Sequence, residues 1–255
     1  MPVAMAPCTT GTDMKVGSPR AVPAWGQPGR SQWLAVCVLV PAFLVSACLV
    51  GHIEAYADGL GYEDAPPQEI CGLCHSLDGI SRTSRFPKLA GQKPGYIAKQ
   101  LADFLAERRA NDGGQMSAIV TEIKPRQFDA VAAYFAGLAP PPPVGGPSAE
   151  GNVAGTVIDI AAARRLFLEG RPEDGMPACA SCHVETNPAA PLAPYLTAQH
   201  SDYLVKQLRD FREGRRANDV SGTMQRVGAA LSDGEIVALA HFLSRQPRGR
   251  AAHEM

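Results

Sequence analysis

The chain has almost no net charge, −1 over 255 residues, and so lacks the basic footprint that a nucleic-acid partner would require. It lacks any alternating apolar and polar run long enough to read as a strand, which leaves a helical fold. Past residue 57 it has no tryptophan, and every cysteine there belongs to one of two short motifs, so no free thiol would remain in an oxidising compartment. Charge is also absent from Trp33 to Val50, behind a Pro-, Gly- and Ser-rich stretch that carries Lys15, Arg20 and Arg30. A positively flanked apolar segment of this kind directs export. Three fates are open to it. Ala55-Tyr56-Ala57 has the small-x-small form of a cleavage site, giving a mature chain from about Asp58; Val45-Ser46-Ala47-Cys48 resembles a lipoprotein box; an uncleaved anchor would be near the minimum length for a span, with Pro41 in mid-run. All three place the body outside the cytoplasm, and the last two tether it to a membrane.

Cysteine is present where it counts. Cys71-Gly-Leu-Cys74-His75 and Cys179-Ala-Ser-Cys182-His183 each have a methionine 41 residues after the histidine, Met116 and Met224. Two cysteines separated by two residues can form thioethers to the two vinyl groups of one haem, which brings the adjoining histidine beneath the iron as proximal ligand. The methionine fills the opposite axial position. A redox dithiol or half of a zinc site is the plainer reading of a lone Cys-x-x-Cys. Here both copies carry the histidine, and a zinc site would have to gather pairs more than 100 residues apart while leaving both histidines unexplained.

Past the export segment the sequence repeats itself at an offset of 107 to 108 residues. Pro87-Lys-Leu89-Ala-Gly-Gln92 matches Pro194-Tyr-Leu196-Thr-Ala-Gln199, Tyr96-x-x-Lys99-Gln100-Leu101 matches Tyr203-x-x-Lys206-Gln207-Leu208, and Arg108-Arg109-Ala-Asn111-Asp112 matches Arg215-Arg216-Ala-Asn218-Asp219. Such self-similarity marks a duplicated domain. Between the copies, Pro140 to Pro143 begin a stiff extended linker. The expected organisation is an export segment or anchor at 1–57, domains at 58–139 and 155–248, and a linker at 140–154. Each repeat reads as mainly helical: Ile97, Leu101, Phe104 and Leu105 form a helical stripe that Leu204, Leu208 and Phe211 echo. Phe128 to Leu138 is a closing helix, and Ser232 with Glu235 opens its counterpart. Ile158 to Leu168 suits an opening helix in the second repeat, whereas Pro66-Pro67 interrupts the corresponding stretch of the first.

His75 and His183 are thus the expected proximal ligands and Met116 and Met224 the distal ones. Met116 has no rival in its repeat; Met176 sits on the proximal side of its motif, and His200 and His241 have no ligand counterpart in the first copy. Pro87 and Pro194 lie where a backbone carbonyl could take the proximal imidazole N–H, or where a simple turn is needed. Tyr96 and Tyr203 suit bonding a propionate, crossing between the domains or packing at a helix start. The Arg-Arg-Ala-Asn-Asp runs suit propionates, or the last turn of a helix.

With these segments in order and doubled, residues 58 to 246 resemble a dihaem cytochrome c4. The resemblance implies an all-α tandem pair of class I cytochrome c domains related by a pseudo-twofold axis, each wrapped around one covalent haem c, with the haems near the domain interface. Its implied function is periplasmic one-electron transfer in a respiratory chain, from a respiratory complex or dehydrogenase to a terminal oxidase or other acceptor. Saturated His/Met iron disfavours catalysis at the haem. The alternatives are the haem subunit of a dehydrogenase complex, as in flavocytochromes, and, more remotely, a dihaem peroxidase.

Overall fold

The computed structural model describes residues 66–144, 150–153, 156–184 and 190–248. The export segment and residues 58–65, where an upstream first helix would fall, lie outside the described residues, as does the end of the chain past 248. The described residues belong to one compact unit spanning Leu60–Met255.

In the first repeat, α1 (Pro67–His75) leads through a loop to α2 (Pro94–Leu105), α3 (Gln115–Ile119) and α4 (Phe128–Gly137). Pro67 does not interrupt α1; it starts it, because the first helical position needs no N–H partner and favours proline's fixed φ. Pro94 opens α2 in the same way. Ile97, Leu101 and Phe104 turn into a core shared with Val120, Val131 and Phe135, and α2 packs along α4. Leu105, expected in that stripe, is exposed: it ends the helix one position off the buried face.

The second repeat is introduced by a hairpin of β1 (Glu150–Val153) and β2 (Thr156–Asp159), antiparallel with Gly151 opposite Ile158. This short sheet falls in the stretch read as linker and opening helix. α5 (Ile160–Glu169) therefore starts two residues later than Ile158, where the Asp159 carboxylate accepts from the Ala162 N–H at 2.8 Å; a capping carboxylate satisfies an otherwise orphaned donor. α6 (Ala180–His183), α7 (Ser201–Arg212), α8 (Thr223–Ala230) and α9 (Asp233–Ser244) follow. α5 and α7 both pack against α9, around Phe167 and Ile236. The capping box at the head of α9 forms as expected, Ser232 Oγ accepting from the Glu235 N–H at 3.3 Å while Glu235 accepts from the Ser232 N–H at 2.8 Å.

The linker is docked along its described part. Pro140 lies against Gly91, whose positive φ a side chain would strain, and the Val144 N–H donates to the Ser244 carbonyl at 2.9 Å. The two repeats face each other through the segments after their haem motifs and through α2 and α7.

Candidate haem centres

In the first repeat Cys71, Cys74 and His75 share α1; in the second, Cys179 caps α6, which carries Cys182 and His183. One helical turn sets the two cysteines on neighbouring positions and the histidine above the first of them. None of the four cysteines is drawn into a disulfide. Burial pushes the Cys71 and Cys179 thiols up to about 11. Among the described residues no three of His, Cys, Asp or Glu come together as a zinc site needs.

Both histidines are buried. His75 Nδ1 lies 2.8 Å from the Pro87 carbonyl and His183 Nδ1 2.7 Å from that of Pro194. A carbonyl can only accept, so each Nδ1 carries the proton and each Nε2 keeps its lone pair for a metal. Burial lowers the pKa of both imidazoles, against the opposing hydrogen bond to the proline carbonyl. The neutral ring is the ligating form. This donor set, two thiols with a buried, correctly tautomeric imidazole, fits a covalently held haem in each repeat.

Met116 and Met224 both stand in the first turn of a helix, α3 and α8. The Met116 N–H donates to the Asp112 carboxylate, and the Met224 N–H to that of Asp219 at 2.6 Å. The aspartate closing each Arg-Arg-Ala-Asn-Asp run thus fixes the start of the methionine helix. Backbone N–H bonds hold the Asp112 carboxyl below its ordinary range despite burial, which raises it. The second repeat has one residue more than the first between its Asn-Asp pair and its methionine, taken up by a 3₁₀ turn over Val220–Gly222 with Ser221 at φ 60°. Among the rivals, Met176 is buried in the second core, His200 Nε2 lies 3.0 Å from the Ser81 carbonyl, and His241 is buried within α9.

The tyrosines cross between the repeats. Arg109 donates to Tyr203 Oη at 3.1 Å and Arg216 to Tyr96 Oη at 3.4 Å. Arg109 bonds Gln100 at 2.8 Å and Gln207 at 3.2 Å; Arg216 bonds Gln207 at 2.7 Å and Gln100 at 3.1 Å. Asn111 reaches Asp210, and Asn218 reaches Asp103, both at 2.6 Å. Exchanging the repeats reproduces the same set of bonds, which is the signature of a pseudo-twofold interface. Tyr96 has its pKa raised by burial and, more strongly in sum, lowered by Arg216 and Arg109. The first-named arginines of each run, Arg108 and Arg215, pair instead with Asp103 and Asp210 at 2.9 and 2.8 Å.

Sequence reasoning passed over four glutamines. Gln100 and Gln207 centre the arginine network, and Gln92 and Gln199 each clamp the main chain of the opposite repeat. Gln199 accepts from the Lys88 N–H at 2.9 Å and donates to the Lys88 carbonyl at 3.0 Å. Gln92 treats Tyr195 alike, at 2.8 and 3.0 Å. Their signal was the repeat itself, since each is a polar residue present at the same place in both copies.

No family model matches the chain. Cytochrome c4 of Thiocapsa roseopersicina is 38% identical over 183 residues, covering 71% of this chain and 88% of its own. The chain belongs to the cytochrome c4 family. The crystal structure of reduced cytochrome c4 from Pseudomonas stutzeri superposes with a TM-score of 0.59 at 33% identity, over 70% of this chain and 96% of that one. A thiosulfate dehydrogenase electron acceptor of Thiomonas intermedia is 32% identical over 194 residues, 72% of this chain and 82% of its own. As a cytochrome c4 the protein is a dihaem electron carrier, with two covalently bound haem c groups and redox proteins as partners, and is not an enzyme. The tandem helical fold agrees with that family.

Proposed function

We propose that Cys71 and Cys74 bind one haem with His75 and Met116 as its axial ligands, and that Cys179, Cys182, His183 and Met224 do the same for the other. So held, the two irons exchange single electrons by outer-sphere transfer, at potentials raised by thioether sulfur and with no position open to oxygen, peroxide or substrate. The chain's part is to orient. Pro87 and Pro194 fix the ring plane and tautomer of the proximal histidines, Asp112 and Asp219 fix the methionine helices, and the Tyr96 and Tyr203 contacts keep the two centres in register. One observation carries the reading: a buried imidazole with its Nδ1–H committed to a proline carbonyl, found twice with matched distances.

On this reading the domains run 58–139 and 155–248 about a 140–154 linker, and the 1–57 segment exports the protein to the periplasm or tethers it at the inner membrane. A redox titration of the exported holoprotein, followed at the thioether-haem bands and the near-infrared iron–methionine band, should resolve two His/Met centres. Met116→Ala and Met224→Ala should each remove about half of the iron–methionine band; a His/His or open centre in the unsubstituted protein overturns the assignment. The likeness to a thiosulfate dehydrogenase electron acceptor supports a second reading, in which a dehydrogenase is the immediate donor and holds the cytochrome as a subunit. Co-purification of a catalytic subunit at fixed stoichiometry separates it from the free carrier.

A further inference from the structure

The Pro87 carbonyl and the Lys88 N–H are the two polar ends of one peptide unit. The carbonyl accepts from His75 at 2.8 Å within its own repeat, and the N–H donates at 2.9 Å to Gln199 of the other. The unit joining Pro194 and Tyr195 is wired the same way, accepting from His183 at 2.7 Å and donating to Gln92 at 2.8 Å. Each proximal imidazole is therefore one amide away from a side chain of the opposite repeat. Both glutamines and Lys88 are buried, where hydrogen bonds polarise one another most. The second bond of each carboxamide, back to the carbonyl of the same residue, holds its oxygen on the N–H.

An amide is conjugated. When its N–H donates, electron density moves to its oxygen, the oxygen becomes a stronger acceptor, and the imidazole whose N–H it holds gains anionic character. A more basic proximal ligand favours the oxidised iron. We propose that Gln199 tunes the reduction potential of the haem held by His75, and Gln92 that of the haem held by His183, each across the domain interface through the shared peptide unit. This rests on the axial assignment of His75 and His183. The glutamines act as positioning residues, and their removal should raise the potential of the haem in the other repeat.

The test uses the dihaem holoprotein and an NMR-monitored redox titration, in which paramagnetically shifted ring resonances report each haem separately. Gln199→Met, similar in size but without the acceptor oxygen, should raise the reduction potential of the His75 haem by about 28 mV, which at a fixed ambient potential lowers its oxidised-to-reduced ratio about threefold, at 59 mV per decade for a one-electron couple. The His183 haem should move by much less, and the His75 Nδ1–H should exchange faster. Gln92→Met should give the converse. Gln199→Glu, which keeps an acceptor, should move the His75 haem in the opposite direction to Gln199→Met. Equal shifts of both haems, or a larger shift in the glutamine's own repeat, would mean that the glutamines only pack the interface and would overturn the proposal. If the unsubstituted protein shows shifted ring resonances from neither histidine, the axial assignment itself fails, before any variant is measured.

Discussion

In the second repeat the motif is approached through α5, ten residues packed along α9, and then a loop closed by pairing of Arg171 with Met176. In the first, the motif lies on α1 itself, which starts at Pro67 and makes only slight contact with α4. Yet the imidazole-to-proline distances differ by only a tenth of an ångström. The proximal geometry goes with what the two repeats share on the C-terminal side of each motif, the proline segment and the glutamine clamp on it.

Removing one motif is the harshest way to break the comparison. Cys179→Ser with Cys182→Ser should lower covalent haem from two per chain to one, counted by mass and haemochrome absorbance, while Cys71→Ser with Cys74→Ser should do the reverse. If either pair abolishes both haems, the repeats do not mature separately.

The core comes next. Phe167 of α5 is fully buried, and Phe167→Ala should cost about 3–5 kcal/mol in denaturant unfolding. Leu105→Ala, at a position the helical stripe includes but the fold leaves exposed, should stay within about 0.5 kcal/mol.

Acid should loosen the interface before the cores. Burial raises the Asp103 and Asp210 carboxyls, but Lys99 and Asn218 on the one, and Lys206 and Asn111 on the other, together with Arg108 and Arg215, hold both below the ordinary aspartate range. A depressed folded-state pKa gives stability that is fully present above the unfolded value, about 3.9, and is lost as pH falls through the folded one. Asp103→Asn and Asp210→Asn should each flatten the acid limb of a stability-against-pH curve. Equal flattening by the two would confirm that the interface is symmetric in energy as well as in geometry.

The smallest expected effect compares the closing helices. α9 has a full capping box, whereas α4 starts without a side-chain cap from Gln127. Ser232→Ala should cost about 1 kcal/mol, read as a lower thermal midpoint, and Gln127→Ala much less.

α2 and α7 were legible because burial of one face writes itself into the sequence every three or four residues, and α9, buried on most of its surface, was legible from its capping box. The hairpin was not: Glu150 to Asp159 holds two four-residue strands that pair only with each other, too short to show alternation. Leu105 was misplaced for a related reason, since periodicity does not say where a helix stops. For the candidate sites, the sequence named the motif cysteines, the histidines and the spaced methionines, and Tyr96, Tyr203 and the arginine runs stood out as repeated without revealing their partners.

By itself the sequence determined two haem attachments, a duplicated helical domain and the matched histidine-to-methionine spans, because covalent motifs and repeats are local facts of the chain. Only the tertiary structure decided that Tyr203 meets Arg109, that Asn111 meets Asp210, and that Gln199 grips the peptide beside His75. Those partners are 94 to 111 residues apart, and a hydrogen bond between them leaves no periodicity to read; it exists only once the two repeats are docked face to face.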